Sequence, residues 1–134
     1  MTEYELVDKY VDTLKAKGYE VATEVSNLYR SADVAFINSN DEVVIVEAKL
    51  SSVGHAIKQA STHLLAADLV YILTPKKSHR KKFLSGLKEK GIGLLHYKDN
   101  KFIEVVTPRH NKTWYIVRRK VVAQIKEGDA WKNM

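Results

Sequence analysis

Residues 43–50 read Val43-Val44-Ile45-Val46-Glu47-Ala48-Lys49-Leu50, an apolar, β-branched run that carries two charges of opposite sign. Side chains alternate faces along a strand, so Glu47 and Lys49 point the same way, about 7 Å apart along the chain. The run is apolar enough for a central strand, where a charge is costly unless paired, hydrogen-bonded or bound to metal. Ten residues upstream lies a second candidate acid, Asp33, inside Ala32-Asp33-Val34-Ala35-Phe36-Ile37. A lysine and two carboxylates on neighbouring strands form a chemical constellation more than a packing one.

The segments around this run alternate in hydrophobic period. Residues 3–17 place Leu6, Val7, Tyr10, Val11 and Leu14 on a helical stripe that Gly18 closes. Strands are expected at 19–25, 32–37 and 43–50, joined by short connections as an antiparallel meander, with the turn residues Asn38-Ser39-Asn40-Asp41 before the third. Residues 54–66 return to helical spacing, with Ser52 as N-cap, and Asp68–Leu73 forms a strand stopped by Thr74-Pro75. Strand, helix and strand in that order predict a right-handed parallel crossover. A helix at 79–90 capped by Ser78, strands at 92–97 and 102–106, and a helical tail from Lys112 complete the order α-β-β-β-α-β-α-β-β-α. The chain therefore reads as one α/β domain, residues 1–134, with a mixed sheet flanked by helices and a basic, helical extension at 109–134.

At 134 residues, with 45% hydrophobic and 28% charged residues, the composition is that of a globular domain. No stretch approaches the roughly 18 consecutive apolar residues of a membrane span. The polar, acidic start does not read as a secretory signal, and the absence of cysteine excludes disulfides and thiolate metal sites and suits an intracellular, cytoplasmic protein. The net charge of +6 is clustered: residues 76–82 and 109–120 each hold five Lys or Arg and no acid. Without those ten, 12 basic residues face 16 acidic ones. Clustered cations attract polyanions by counterion release, and nucleic acid is the commonest such partner.

Asp33 on the second strand, Glu47-Ala48-Lys49 on the third, and the following helix with Gln59 form a pattern. It resembles the PD-(D/E)xK, or restriction-endonuclease-like, nuclease superfamily over roughly residues 3–75. Ala32 stands where that family has Pro. A branch related to recombination nucleases carries Gln-x-x-x-Tyr on the helix; here the stretch is Gln59-Ala60-Ser61-Thr62-His63, with His in place of the aromatic. Whether the chain is closer to that branch or to Holliday junction resolvases stays open.

The resemblance implies a restriction-endonuclease-like fold and a metal-dependent DNA endonuclease that hydrolyses phosphodiester bonds, on branched or structured DNA among other candidates. The alternative is a catalytically inactive nucleic-acid-binding module of the same fold. By resemblance, Asp33, Glu47 and the Ala48 backbone carbonyl hold Mg²⁺ or Mn²⁺, carboxylate oxygens being proper ligands for a hard cation. Lys49 positions water and stabilises charge at the scissile phosphate, and Gln59 contacts the same region. Glu24, or Glu3 on the first helix, supplies an auxiliary acid. Arg30 and Ser31, read as a loop before Asp33, and Lys76, Lys77, Arg80, Lys81, Arg118 and Arg119 are the candidate nucleic-acid contacts. Homodimerisation would let two sites act on two strands. His63 is expected on the helix surface, and Trp114 in the core.

Overall fold

The switches of hydrophobic period along the chain become element boundaries in the computed structural model, which describes residues 1–28 and 30–128. The order is α1 (Glu3–Ala16), β1 (Val21–Asn27), β2 (Arg30–Ile37), β3 (Val43–Ala48), α2 (Val53–Ser61), β4 (Leu69–Thr74), α3 (Lys81–Lys90), β5 (Gly93–Lys98), β6 (Lys101–Val106) and α4 (Tyr115–Glu127). All six strands form one mixed sheet in chain order. The β1–β2–β3 meander and the β5–β6 hairpin are antiparallel, while β3–β4 and β4–β5 are parallel through α2 and α3. The α/β class, the mixed sheet flanked by helices and the element order follow the sequence expectation. Residues 129–134 of the expected C-terminal extension lie outside the described residues.

Every residue of β3 is buried, as a strand with neighbours on both edges and layers on both faces requires. On one face α1 packs Leu6, Tyr10, Val11 and Leu14 against Val34, Phe36, Val44 and Val46. On the other, α2, α3 and α4 bring Ala56, Ala60, Leu87, Val121 and Ile125 against Ala35, Ile45, Ile72 and Leu94. The Thr2 hydroxyl accepts a hydrogen bond from the Glu5 amide at 3.0 Å, and Glu3 and Glu5 complement the positive end of α1. Gln124 of α4 reaches edge strand β1, accepting from the Ser26 amide (2.8 Å) and donating to its carbonyl (2.9 Å), so that part of the edge is not left unpaired.

The local expectations that failed do so for identifiable reasons. The β1–β2 hairpin extends to Asn27↔Arg30, which puts Arg30 and Ser31 in a strand and not in a loop. Helix α2 stops at Ser61, short of 66, because the Ser61 and Thr62 hydroxyls bond back to the carbonyls of Ile57 and Gln59, both at 2.7 Å. Ser52 occupies the N-cap position of α2 without a side-chain bond, and the N-cap of α3 is Arg80, not Ser78, also without one. Trp114 is 62% exposed instead of core.

Gly54 lies in the first turn of α2, where a Cβ would meet nothing within 4 Å. Gly54→Ala is therefore expected to raise stability by about 0.5–1 kcal/mol through the unfolded chain's lost freedom, read as a higher urea midpoint at constant slope.

Candidate functional site

Strands β3 and β4 run parallel, so their carboxyl ends lie at one edge of the sheet, with the connecting helices starting above them. That edge is where open α/β sheets place ligands. Glu47 and Ala48 end β3, Lys49 follows, and antiparallel β2 brings Asp33 to the same end.

The β2–β3 ladder stops at Val34↔Val46. Beyond it, the Asp33 carboxylate accepts the Ala48 amide at 2.8 Å, a side chain taking the place of the next strand bond. Across β1, the register Thr23↔Val34 and Val25↔Ala32 sets Glu24 opposite Asp33, and Glu24 has φ +50°. Face alternation breaks at this point of β2: Val34 packs on the α1 side, whereas Ala32 packs on the opposite side. A non-glycine residue in the left-handed region beside a site is backbone strain of the kind that clusters where function needs it.

Asp33 and Glu47 are hydrogen-bonded to each other. Burial, then the Glu47 charge, pushes the Asp33 pKa up to about 7, against the opposing pull of the Ala48 amide. Burial likewise raises Glu47, with Glu3 adding to the rise, while the bond from Asp33 and the cations Arg30 and Lys49 hold it down. Two desolvated carboxyls in contact ask for either a shared proton or a cation.

The other side of Glu47 is held by a residue whose sequence context points to the surface. His63 is fully buried, and its Nε2 lies 2.6 Å from Glu47 Oε1. Its Nδ1 meets the Asn27 amide nitrogen at 2.8 Å, and that nitrogen also donates to the Thr62 carbonyl. With the amide nitrogen so placed, Nδ1 accepts and the proton sits on Nε2, which donates to Glu47. Burial, then Arg30, lowers the His63 pKa to about 4, so the ring is neutral. The buried chain is thus Asn27 to His63 to Glu47 to Asp33.

The remaining candidates are distributed unevenly. Glu3 of α1 accepts from the Leu50 amide at 3.4 Å, and with Glu24 and Asp33 it lines an acidic cleft of about 470 Å³ between α1 and the sheet. Lys49 is half-buried and bonded through its amide to the Leu73 carbonyl at 2.9 Å, and no ion pair within 4 Å joins it to either carboxylate among the described residues. Gln59 is half-buried on α2 and makes no hydrogen bond to the pair; His63, four residues later, does. Arg30 acts electrostatically on both Glu47 and His63, and its buried Nε has no hydrogen-bond partner among the described residues. Ser31 is exposed on β2, and Lys76, Lys77, Arg80 and Lys81 are exposed around the start of α3.

Arg118 does not join this edge. It pairs with Asp68 (2.9 Å), whose carboxylate also accepts the amide of Val43 at the far end of β3. Arg119 lies over the exposed Tyr115 ring at 5.7 Å. Among the described residues there is no group of three His, Cys, Asp or Glu side chains arranged to hold a metal, and no helix is long and apolar enough to cross a membrane.

No protein-family model matches the chain, and no curated protein matches it. Among solved structures, a protein of unknown function from Silicibacter pomeroyi has a similar fold, with a TM-score of 0.68 over 94% of this chain and 85% of that one. At 17% identity this likeness shows the fold alone.

Proposed function

We propose that the chain is a metal-dependent nuclease that hydrolyses phosphodiester bonds in DNA. The observation that carries this reading is the contact between Asp33 and Glu47, two carboxyls held together in a desolvated place where both pKa values rise. As a donor set, two carboxylates and a backbone carbonyl fit a small hard cation that keeps several waters of its own. Asp33, Glu47 and the Ala48 carbonyl would hold Mg²⁺ or Mn²⁺, which when bound supplies a more acidic water and offsets phosphate charge.

The chain's own groups do the rest. Glu3, which already acts on Glu47, supplies the auxiliary acid with Glu24 across from Asp33. Lys49 holds positive charge against the scissile phosphate and orients the attacking water. Arg30, whose Nε has no partner among the described residues, contributes a second phosphate contact. His63 fixes one oxygen of Glu47.

A second reading, a nucleic-acid-binding module without chemistry, draws on the same bond: one Glu47 oxygen is already satisfied by His63. Incubation of the protein with plasmid, single-stranded and branched DNA in Mg²⁺ or Mn²⁺ separates the two. Cleavage by the wild type, with Glu47→Ala and Lys49→Ala each reducing it at least about a hundredfold, is the expected result. Equal behaviour of wild type and variants on every substrate would sink the nuclease reading.

A further inference from the structure

Between α2 and α3 runs a groove of about 770 Å³, on the sheet face opposite α1. Its cations are Lys58 on α2, Lys76 and Arg80 before α3, and Lys82 and Lys90 on α3, with no carboxylate among the lining residues. Its floor is apolar: Val53, Ile57 and Phe83, with Gly86 where the two helices meet. A Cβ at Gly86 would come within 3.0 Å of the Ile57 side chain, so the glycine permits the close approach. His79 covers Phe83 with ring centroids 5.1 Å apart.

Two features set this groove apart from a solvated basic face. Lys58 and Lys90 lie outside the charge runs of the sequence, so the fold gathers cations that the chain keeps separate. In addition, Arg80, Lys81 and Lys82 crowd the positive end of α3 with no acid in its first turn, an arrangement unfavourable to the helix itself. The groove begins at Ser52 and Gly54, shortly after Lys49, and Lys76 follows the end of β4; both belong to the carboxyl edge that carries Asp33 and Glu47.

We propose that this groove binds a single nucleic-acid strand. Phosphates lie along the Lys82–Lys90 and Lys58 walls, and bases lie on the apolar floor and the His79 ring. Lys82 and Lys90, eight residues apart on one helix face, stand about 12 Å apart along its axis, enough to track a backbone. An acidic peptide would use the cations but leave the apolar floor wet. A duplex keeps its base faces stacked inside. A basic groove with an apolar and aromatic floor suits unstacked bases. The inference deepens the nuclease reading and rests on it for calling the strand a substrate.

The test is fluorescence anisotropy in EDTA with labelled oligothymidylate and oligouridylate, a duplex of equal length, and polyglutamate as competitor. Either single strand should bind more tightly than the duplex, with polyglutamate competing poorly. Lys58→Gln with Lys82→Gln should weaken binding tenfold or more and flatten the log–log salt slope by about 1.4, at roughly 0.7 for each phosphate no longer neutralised. Lys82→Glu places an acid in the first turn of α3, which favours the helix, so its loss of binding is not unfolding. Preference for the duplex, equal competition by polyglutamate, or binding unchanged in these variants overturns the proposal. Because no metal is present, a wild type that cleaves with Mn²⁺ but does not bind either single strand removes the groove inference alone, and one that binds the strand but does not cleave removes only the nuclease reading.

Discussion

Asp33→Asn is expected to stabilise the metal-free protein at pH 8 while abolishing its response to Mn²⁺. The Asp33 pKa is raised from 3.8 to about 7, first by burial and then by the Glu47 charge. Above pH 7 the folded protein therefore holds an anion it disfavours by up to about 4 kcal/mol, at roughly 1.4 kcal/mol per tenfold. Asparagine keeps an oxygen for the Ala48 amide and offers an N–H to Glu47 in place of the carboxyl proton. A gain of about 2–4 kcal/mol in urea unfolding at pH 8 follows.

The sign with pH is equally specific. In the wild type the folded state keeps the Asp33 proton that the unfolded state loses, so this contribution is complete below pH 3.8 and is lost as pH rises to about 7. His63 acts oppositely: its folded pKa of about 4 lies below the ordinary histidine value of 6.5, so its contribution is complete above pH 6.5 and lost as pH falls to about 4. The two slopes offset each other in the wild type between pH 4 and 6.5. In Asp33→Asn the opposing Asp33 slope is gone, so stability should climb across that window relative to the wild type, with Glu47, which burial also raises, offsetting part of the climb. A cation bound between the carboxyls would replace the proton, so Mn²⁺ should raise wild-type stability most at pH 8 and leave the variant unchanged. Equal Mn²⁺ stabilisation of both proteins would remove Asp33 from the proposed site.

The element order is legible because the chain switches cleanly between periods of two and 3.6, and because β3 is apolar enough to be central. Asp33 and Glu47 are legible for the complementary reason: each is a charge inside an apolar run, and the structure brings them into contact. His63 is not, because its burial depends on the helix stopping early. Residues 54–66 hold a helical apolar spacing that runs straight through it, and only the Ser61-Thr62 pair, whose hydroxyls take helix carbonyls, hints otherwise. Its partner Asn27 comes from a hairpin longer than propensity suggests, 36 residues away in sequence. Arg118 misleads for a similar reason. A basic run read locally is a polyanion contact, whereas in space one of its members is bonded to Asp68 from a distant part of the chain. The α2–α3 groove is equally out of reach, since Lys58 and Lys90 meet only when two helices pack at Gly86.

Replacing His63 should separate its structural and positioning roles. His63→Phe keeps a ring in the cavity but leaves Glu47 Oε1 without its 2.6 Å donor and the Asn27 amide without its acceptor. Leaving a buried carboxylate without one of its hydrogen-bond donors costs about 3 kcal/mol, the upper end for a buried group left unsatisfied. His63→Gln keeps one N–H toward Glu47 and should recover part of that loss. Mn²⁺ affinity measured by calorimetry in the folded fraction should fall about 10–100-fold in the phenylalanine variant, as it does when groups that orient metal ligands are removed, and should be restored in part by glutamine. A purely structural role would lower stability in both variants yet leave the affinity of the folded protein where it was. The pH dependence supplies the independent reading. With His63 gone, only the carboxyl slope remains, and stability should fall from pH 4 to 7, opposite in sign to Asp33→Asn. If the two variants instead share one slope, the buried chain from Asn27 through His63 and Glu47 to Asp33 is not a coupled unit.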